Sequence, residues 1–263
     1  MFGRKKRRAA DEDELDELVE QDGSDDDPAA DPDDPEDTED TEDEDSGDDA
    51  EPEDELDEWQ RLDASRDWRE EGPFDLSEVD LDADDVERMD FDALILTPFD
   101  GMQLQLQVNQ QTQQLQALLV VSGQSVMELS LFAAPAGRDM RADVRGEMIA
   151  NAQKAGGKAT LTEGPFGTEV RRVVPITTQQ GQHGYHVSRT WFAQGPRWLL
   201  RGVLMGEAGL AEGLEGSTEL LYELFANTVV RRGDRPKVPG ELIPMTMPPE
   251  VANRASGASA GTR

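Results

Sequence analysis

No cysteine occurs in the 263 residues. That absence excludes a disulfide framework, a thiolate-ligated zinc or iron–sulfur centre, and a thiol nucleophile. Histidine is almost as scarce, with His183 and His186 alone. No apolar run approaches the roughly 18–20 residues that a membrane span requires. The start, Met1 to Arg8, has the charge of a signal-peptide n-region, but acid follows it where an apolar stretch is needed. The expected compartment is therefore the cytoplasm. The five basic charges of this head contribute about 1 kcal/mol each at an anionic membrane. The 30 acidic residues that follow oppose them, so no stable membrane anchoring is expected.

Catalytic motifs are missing as well. A Ser/His/Asp hydrolase sets its serine on a Gly-x-Ser-x-Gly elbow. The nearest stretch, Glu215-Gly216-Ser217-Thr218-Glu219, reads instead as a helix start. Gly156-Gly157-Lys158-Ala159-Thr160 has a lysine after glycine, but it follows a helical pattern and lacks the strand–loop–helix order of a phosphate loop. Acidic pairs abound without the spacing of a calcium loop. His183 and His186 offer two corners of a zinc site or, more simply, a loop histidine and a strand-start histidine. On a strand their i, i+3 spacing points them to opposite faces, and no third ligand is evident. The sequence thus predicts no catalytic residue, no metal site and no cofactor; it favours a non-enzyme and leaves an enzymatic pocket as the alternative.

What is present is acid, sharply segregated. Asp11 to Glu58 holds 30 acidic residues and no Lys or Arg. From Trp59 onward 20 basic residues face 28 acidic ones, a net of −8 within the total of −33. The first 58 residues read as a disordered basic head and acidic tail, too poor in apolar side chains to offset backbone entropy. Within them, Glu12 to Gln21 places Leu15, Leu18 and Val19 at helical spacing, long enough only to fold on a partner. Residues 59–73 read as a linker or docking arm, with Leu56, Trp59 and Leu62 along one face. Residues 74–248 form one domain, and 249–263 a flexible C-terminal tail.

The domain pattern predicts an α+β fold: an antiparallel sheet of meander and hairpins packed by two main helices. A first strand is expected over 91–97. Met102 to Val108 alternates apolar side chains with Gln103, Gln105 and Gln107 and predicts a half-wet strand. Strands over 115–121 and 126–133, joined at Ser122-Gly123-Gln124, complete a meander. A helix is expected over 138–155, with Met140, Val144, Met148, Ile149 and Ala152 as its stripe and Gly156-Gly157 as its stop. Strands over 159–162, 169–176, 184–193 and 197–205 follow, and a second helix over 214–228.

The start Met1-Phe2-Gly3-Arg4-Lys5-Lys6-Arg7, the acid run, Gly72-Pro73-Phe74-Asp75, Trp198-Leu199-Leu200-Arg201-Gly202 and Val229-Val230-Arg231-Arg232-Gly233 resemble an actinobacterial domain-of-unknown-function family, number thirty-seven-ten. The resemblance covers nearly the whole chain and implies no activity. The hairpin ending in residues 197–202 and the last helix also resemble the Mog1/PsbP-like α/β sandwich, a likeness of fold that carries no function.

The candidate binding residues are arginines. Arg171, Arg172, Arg189, Arg197 and Arg201 concentrate in the later half, near Trp191 and Trp198, with Arg231, Arg232 and Arg235 beyond. They predict either an anion-reading face, which could also dock the chain's own acidic tail, or a solvated sheet face with arginine stems over apolar surface. The two tryptophans read as core anchors. The first function expected is a non-enzymatic interaction or regulatory protein, its partner a protein and its acidic tail a modulator. The second is a small-ligand or enzymatic domain with a polar pocket built around Tyr185, His186 and Arg189. Nucleic acid as partner is disfavoured by the net charge.

Overall fold

The computed structural model describes residues 56–177 and 181–248, so the expectations for the acidic tail, its amphipathic stretch and the C-terminal tail lie outside the described residues. The chain enters through a short helix, α1 (Glu58–Ala64), followed by β1 (Phe74–Asp75), a 3-10 turn (Leu76–Glu78), β2 (Met89–Asp90) and β3 (Leu94–Leu96). The meander is β4 (Gln103–Val108), β5 (Leu115–Ser122) and β6 (Ser125–Ala133). Helix α2 (Arg141–Lys154) leads to β7 (Lys158–Gly164), β8 (Gly167–Thr177), β9 (His183–Gly195) and β10 (Trp198–Gly206). The one-turn helix α3 (Glu207–Leu210), α4 (Ser217–Ala226) and β11 (Val229–Val230) complete the elements.

Seven strands make one antiparallel sheet in the order β4-β5-β6-β10-β9-β8-β7, so the α+β class holds. Four short strands form a second sheet, β1-β11-β3-β2, with a parallel pair between β1 and β11. Because side chains alternate across a strand, the large sheet has two differently clothed faces. Its inner face carries Leu118, Met127, Leu129, Trp191, Trp198 and Leu200, packed with Leu94 and Leu96 of β3 and with Leu221, Leu224 and Phe225 of α4. Its outer face carries Val170, Phe192 and Leu199 against Met148 of α2, a smaller apolar cluster. Both tryptophans are buried, as their sequence setting predicts.

Two glycines make the inner face fit. A Cβ on Gly195 would lie 2.2 Å from the ring of Trp198, its cross-strand partner. Gly202, opposite Trp191, admits the Phe225 ring, which a Cβ would meet at 2.8 Å. Phe166, at the β7–β8 turn, folds inward onto Phe225 at 4.7 Å and Trp191 at 5.6 Å between ring centroids.

Three element bounds differ from expectation for local reasons. The strand expected over 91–97 shortens to β3 and begins only at Leu94, because Asp90 accepts the Asp92 amide at 2.8 Å and Asp92 takes a φ of 67°. Such side-chain bonds compete with the ladder. Helix α2 starts at Arg141, not residue 138: Asp139 accepts the Arg141 amide, and Gln194 Oε1 from β9 accepts that of Met140. Helix α4 starts at Ser217, after Gly216 at a φ of 61°.

The arm packs on the domain. Asp57 caps α1, accepting the Trp59 and Gln60 amides at 2.8 Å, while Gln60 reaches back to the Asp57 amide. The arm's main anchor is a carboxylate, not the apolar side chains at helical spacing. Buried Asp63 accepts from Arg145 of α2 and from the Thr168 amide of β8. Among the described residues no helix is long and apolar enough to cross a membrane.

Candidate functional site

Strand alternation divides the candidate arginines between the two faces. Arg171 and Arg172 are neighbours on β8 and must point oppositely. Arg189 stands opposite Arg171 and Leu204, on the inner side, whereas Arg201 stands opposite Phe192 and Ser130, on the outer side. A single face reading all of them does not form.

The inner pair is consumed by structure. Buried Glu169 accepts from Arg189 Nε at 2.8 Å and Nη2 at 2.9 Å, from Arg171 Nε at 2.8 Å, and from Trp191 Nε1 at 2.6 Å. The remaining arginine donors hold main-chain carbonyls: Arg189 those of Ala211 and Gly213, Arg171 that of Glu212. A buried carboxylate needs such partners to stay charged. These arginines fix the α3–α4 loop and leave little donor capacity for a ligand. Glu169 escapes a linear reading because its main partner is 20 residues away, although the i, i+2 pair Glu169–Arg171 on one strand face was visible.

The outer face is different. Arg172, directly opposite Ser188, donates to no described residue, and Arg201 donates only to Glu128 Oε1, at 3.3 Å. Their own Nε atoms and the hydroxyls of Ser188 and Thr190 are buried without a hydrogen-bond partner among the described residues. Native structures leave few such groups, each costing about 1–3 kcal/mol. The four residues share one face: Ser188 and Thr190 are i, i+2 on β9, and Thr190 lies opposite Val203, two residues from Arg201. Burial lowers the pKa of Arg172, and the like charge of Arg201 lowers it further, with Glu128 acting the other way. Burial likewise lowers that of Arg201, again against Glu128. Both guanidiniums are thus under-compensated, and an anion beside them is favoured. Glu128 is the sole charge on apolar β6, a sequence signal that it has a partner.

Next to this pair lies a cleft of about 350 Å³ between α2 and the sheet, lined by Phe132, Met140, Val144, Leu199 and Arg201 among others. The Arg201 guanidinium lies over the Phe132 ring, 5.0 Å from its centroid, and joins cleft to arginine pair.

The other candidates scatter. Tyr185, 71% exposed, and His186, half-buried, point to opposite faces of β9, so Tyr185, His186 and Arg189 form no common pocket. His183 shares a 3.2 Å hydrogen bond with Thr177. No cluster of three His, Asp or Glu able to hold a metal occurs among the described residues. Arg197 occupies the β9–β10 turn at a φ of 61°, exposed, and its carbonyl accepts from Ala134 and Arg232.

A family described as "Protein of unknown function (DUF3710)" matches residues 72–254, and the chain belongs to it. No curated protein and no solved structure matches.

Proposed function

We propose that this DUF3710 member is a non-enzymatic cytoplasmic interaction protein that engages an anionic partner through the outer face of its large sheet, at Arg172 and Arg201. One observation carries the reading: two arginines with a single carboxylate near them, paired to Arg201, have their own Nε atoms and the neighbouring Ser188 and Thr190 hydroxyls buried without a hydrogen-bond partner among the described residues. A fold that tolerates this cost at one place on one face supports a site completed from outside. The cleft beside it adds apolar surface, as binding surfaces commonly do. The enzymatic alternative has lost its named residues, since Tyr185 and His186 diverge and Arg189 is bound to Glu169.

The test is affinity capture with the full chain and with an Arg172→Glu, Arg201→Glu double variant whose fold is checked by circular dichroism. Partners held by the wild type are expected to be lost from the variant. Equal retention by a folded variant refutes the assignment of the face. Absence of any partner for the wild type turns the reading toward a small ligand.

A further inference from the structure

We infer that the group read at Arg172 and Arg201 is a side-chain carboxylate of a partner polypeptide, presented beside an apolar residue that enters the cleft under α2. This rests on the outer face being the binding surface and specifies its ligand.

Charge accounting separates a carboxylate from a phosphomonoester. The site holds two guanidiniums and one resident carboxylate, Glu128, an excess of one positive charge. One carboxylate closes that balance. A phosphomonoester, at about −1.5 to −2 near neutral pH, would overshoot it and stand as a like charge beside Glu128. The donors agree with this. Arg172 donates to no described residue, and Arg201 spends one Nη on a long bond, so each keeps nitrogens for the fork geometry that carboxylates accept.

The cleft fixes the neighbour. Phe132, Met140, Val144 and Leu199 line it, and Arg201, stacked on Phe132, marks its border with the charged site. On the α2 side stand Asp143, paired with Arg138, and Glu147. They would repel a second carboxylate there, so the ligand must run with its acid toward β8–β10 and its apolar side chain toward α2. An acidic–apolar segment meets both demands. A nucleic-acid phosphodiester, with one charge, would meet the first demand but brings no aliphatic side chain to the cleft.

The test measures fluorescence anisotropy with the full chain at about 0.15 M salt, where a Debye length near 8 Å screens distant charge. The probes are a short labelled peptide of leucine and glutamate, its glutamine-for-glutamate counterpart, and its phosphoserine-for-glutamate counterpart. Binding is expected for the glutamate peptide, about tenfold weaker or worse for the glutamine one, which loses the charge-assisted bonds. Arg172→Lys, which keeps charge but not the fork, is expected to weaken binding several-fold. Arg172→Gln with Arg201→Gln should abolish it. Glu128→Gln should improve the phosphoserine peptide relative to the glutamate one. Equal binding of glutamate and glutamine peptides, tighter binding of the phosphoserine peptide to the wild type, or no binding of any peptide would each overturn the carboxylate assignment. If captured proteins still depend on Arg172 and Arg201 while the glutamate peptide does not bind, the surface stands and its ligand class is wrong.

Discussion

Replacing Asp63 with alanine removes the carboxylate that joins α1 to the body of the domain. In the wild type both Asp63 and Arg145 have side chains only 3% exposed. Asp63 also accepts the Thr168 amide at 2.8 Å. Asp139, a carboxylate whose charge Arg145 feels, is taken by three hydrogen bonds from the Arg141 side chain and accepts none from Arg145. The variant therefore leaves Arg145 buried and unpaired and the Thr168 amide without its acceptor. Breaking a buried pair from one side costs about 3–5 kcal/mol, a large part of the roughly 5–15 kcal/mol that holds a typical domain. With a urea slope of about 1–3 kcal/mol per molar, the midpoint should fall by at least about 1 M. The assay is urea unfolding followed by tryptophan fluorescence. Trp59 and Trp68 report on the arm, and Trp191 and Trp198 on the core. Asp63→Leu combined with Arg145→Met should recover most of the loss, because an apolar pair carries no stranded charge. A loss below about 1 kcal/mol for Asp63→Ala, or a double variant no better than the single, would refute the claim that the arm is held electrostatically.

Glu169→Gln should be as damaging, at about 3–5 kcal/mol in the same assay, since Arg189 and Arg171 lose their shared countercharge. Gly195→Ala forces a methyl to within 2.2 Å of the Trp198 ring and should cost about 1–3 kcal/mol or more, read as a lower thermal midpoint. Acid should destabilise the domain through particular carboxylates. Bonds from Arg69 and Arg231 lower the pKa values of Glu78 and Asp90. For Asp139, burial pushes upward but Arg141 outweighs it, and for Asp75 the bonds from Ser77 and Trp198 do the same. Folded pKa values below unfolded ones give stability that is full above the ordinary carboxylate pKa, about 4, and is lost as pH falls below it. Urea midpoints that stay constant from neutral pH down to about pH 3 would contradict this.

The Gln/Leu alternation of β4 and the β5–β6 turn are legible because period two and a glycine turn are local signals. The bounds that moved were set by side chains reaching the backbone, such as Asp90 to the Asp92 amide and Gln194 to that of Met140. The second of these spans 54 residues and is invisible along the chain. The arginines show the same division. Their abundance is a matter of composition, and the opposed directions of Arg171 and Arg172 follow from alternation. Which of them finds a carboxylate depends on hairpin register, and register placed Glu169 with Arg189 and left Arg172 across from Ser188. The arm was readable as apolar spacing, yet its anchor is a lone Asp whose partners lie 82 and 105 positions away.

The parallel pair of β1 with β11 joins Phe74 to Val229, and Asp75 of the same strand accepts Trp198 Nε1 at 2.8 Å. Met245 bridges back to Leu115, and Leu242 to Phe132. Early-made residues therefore await late-made ones. At synthesis rates of about 5–20 residues per second, the opening strand of the domain waits roughly 8–30 s for its neighbour to be translated. The meander can form while the chain still grows, but its apolar inner face stays open until α4 arrives. A chain released short of Ser217 would keep that face in water and be a substrate for chaperones or proteases.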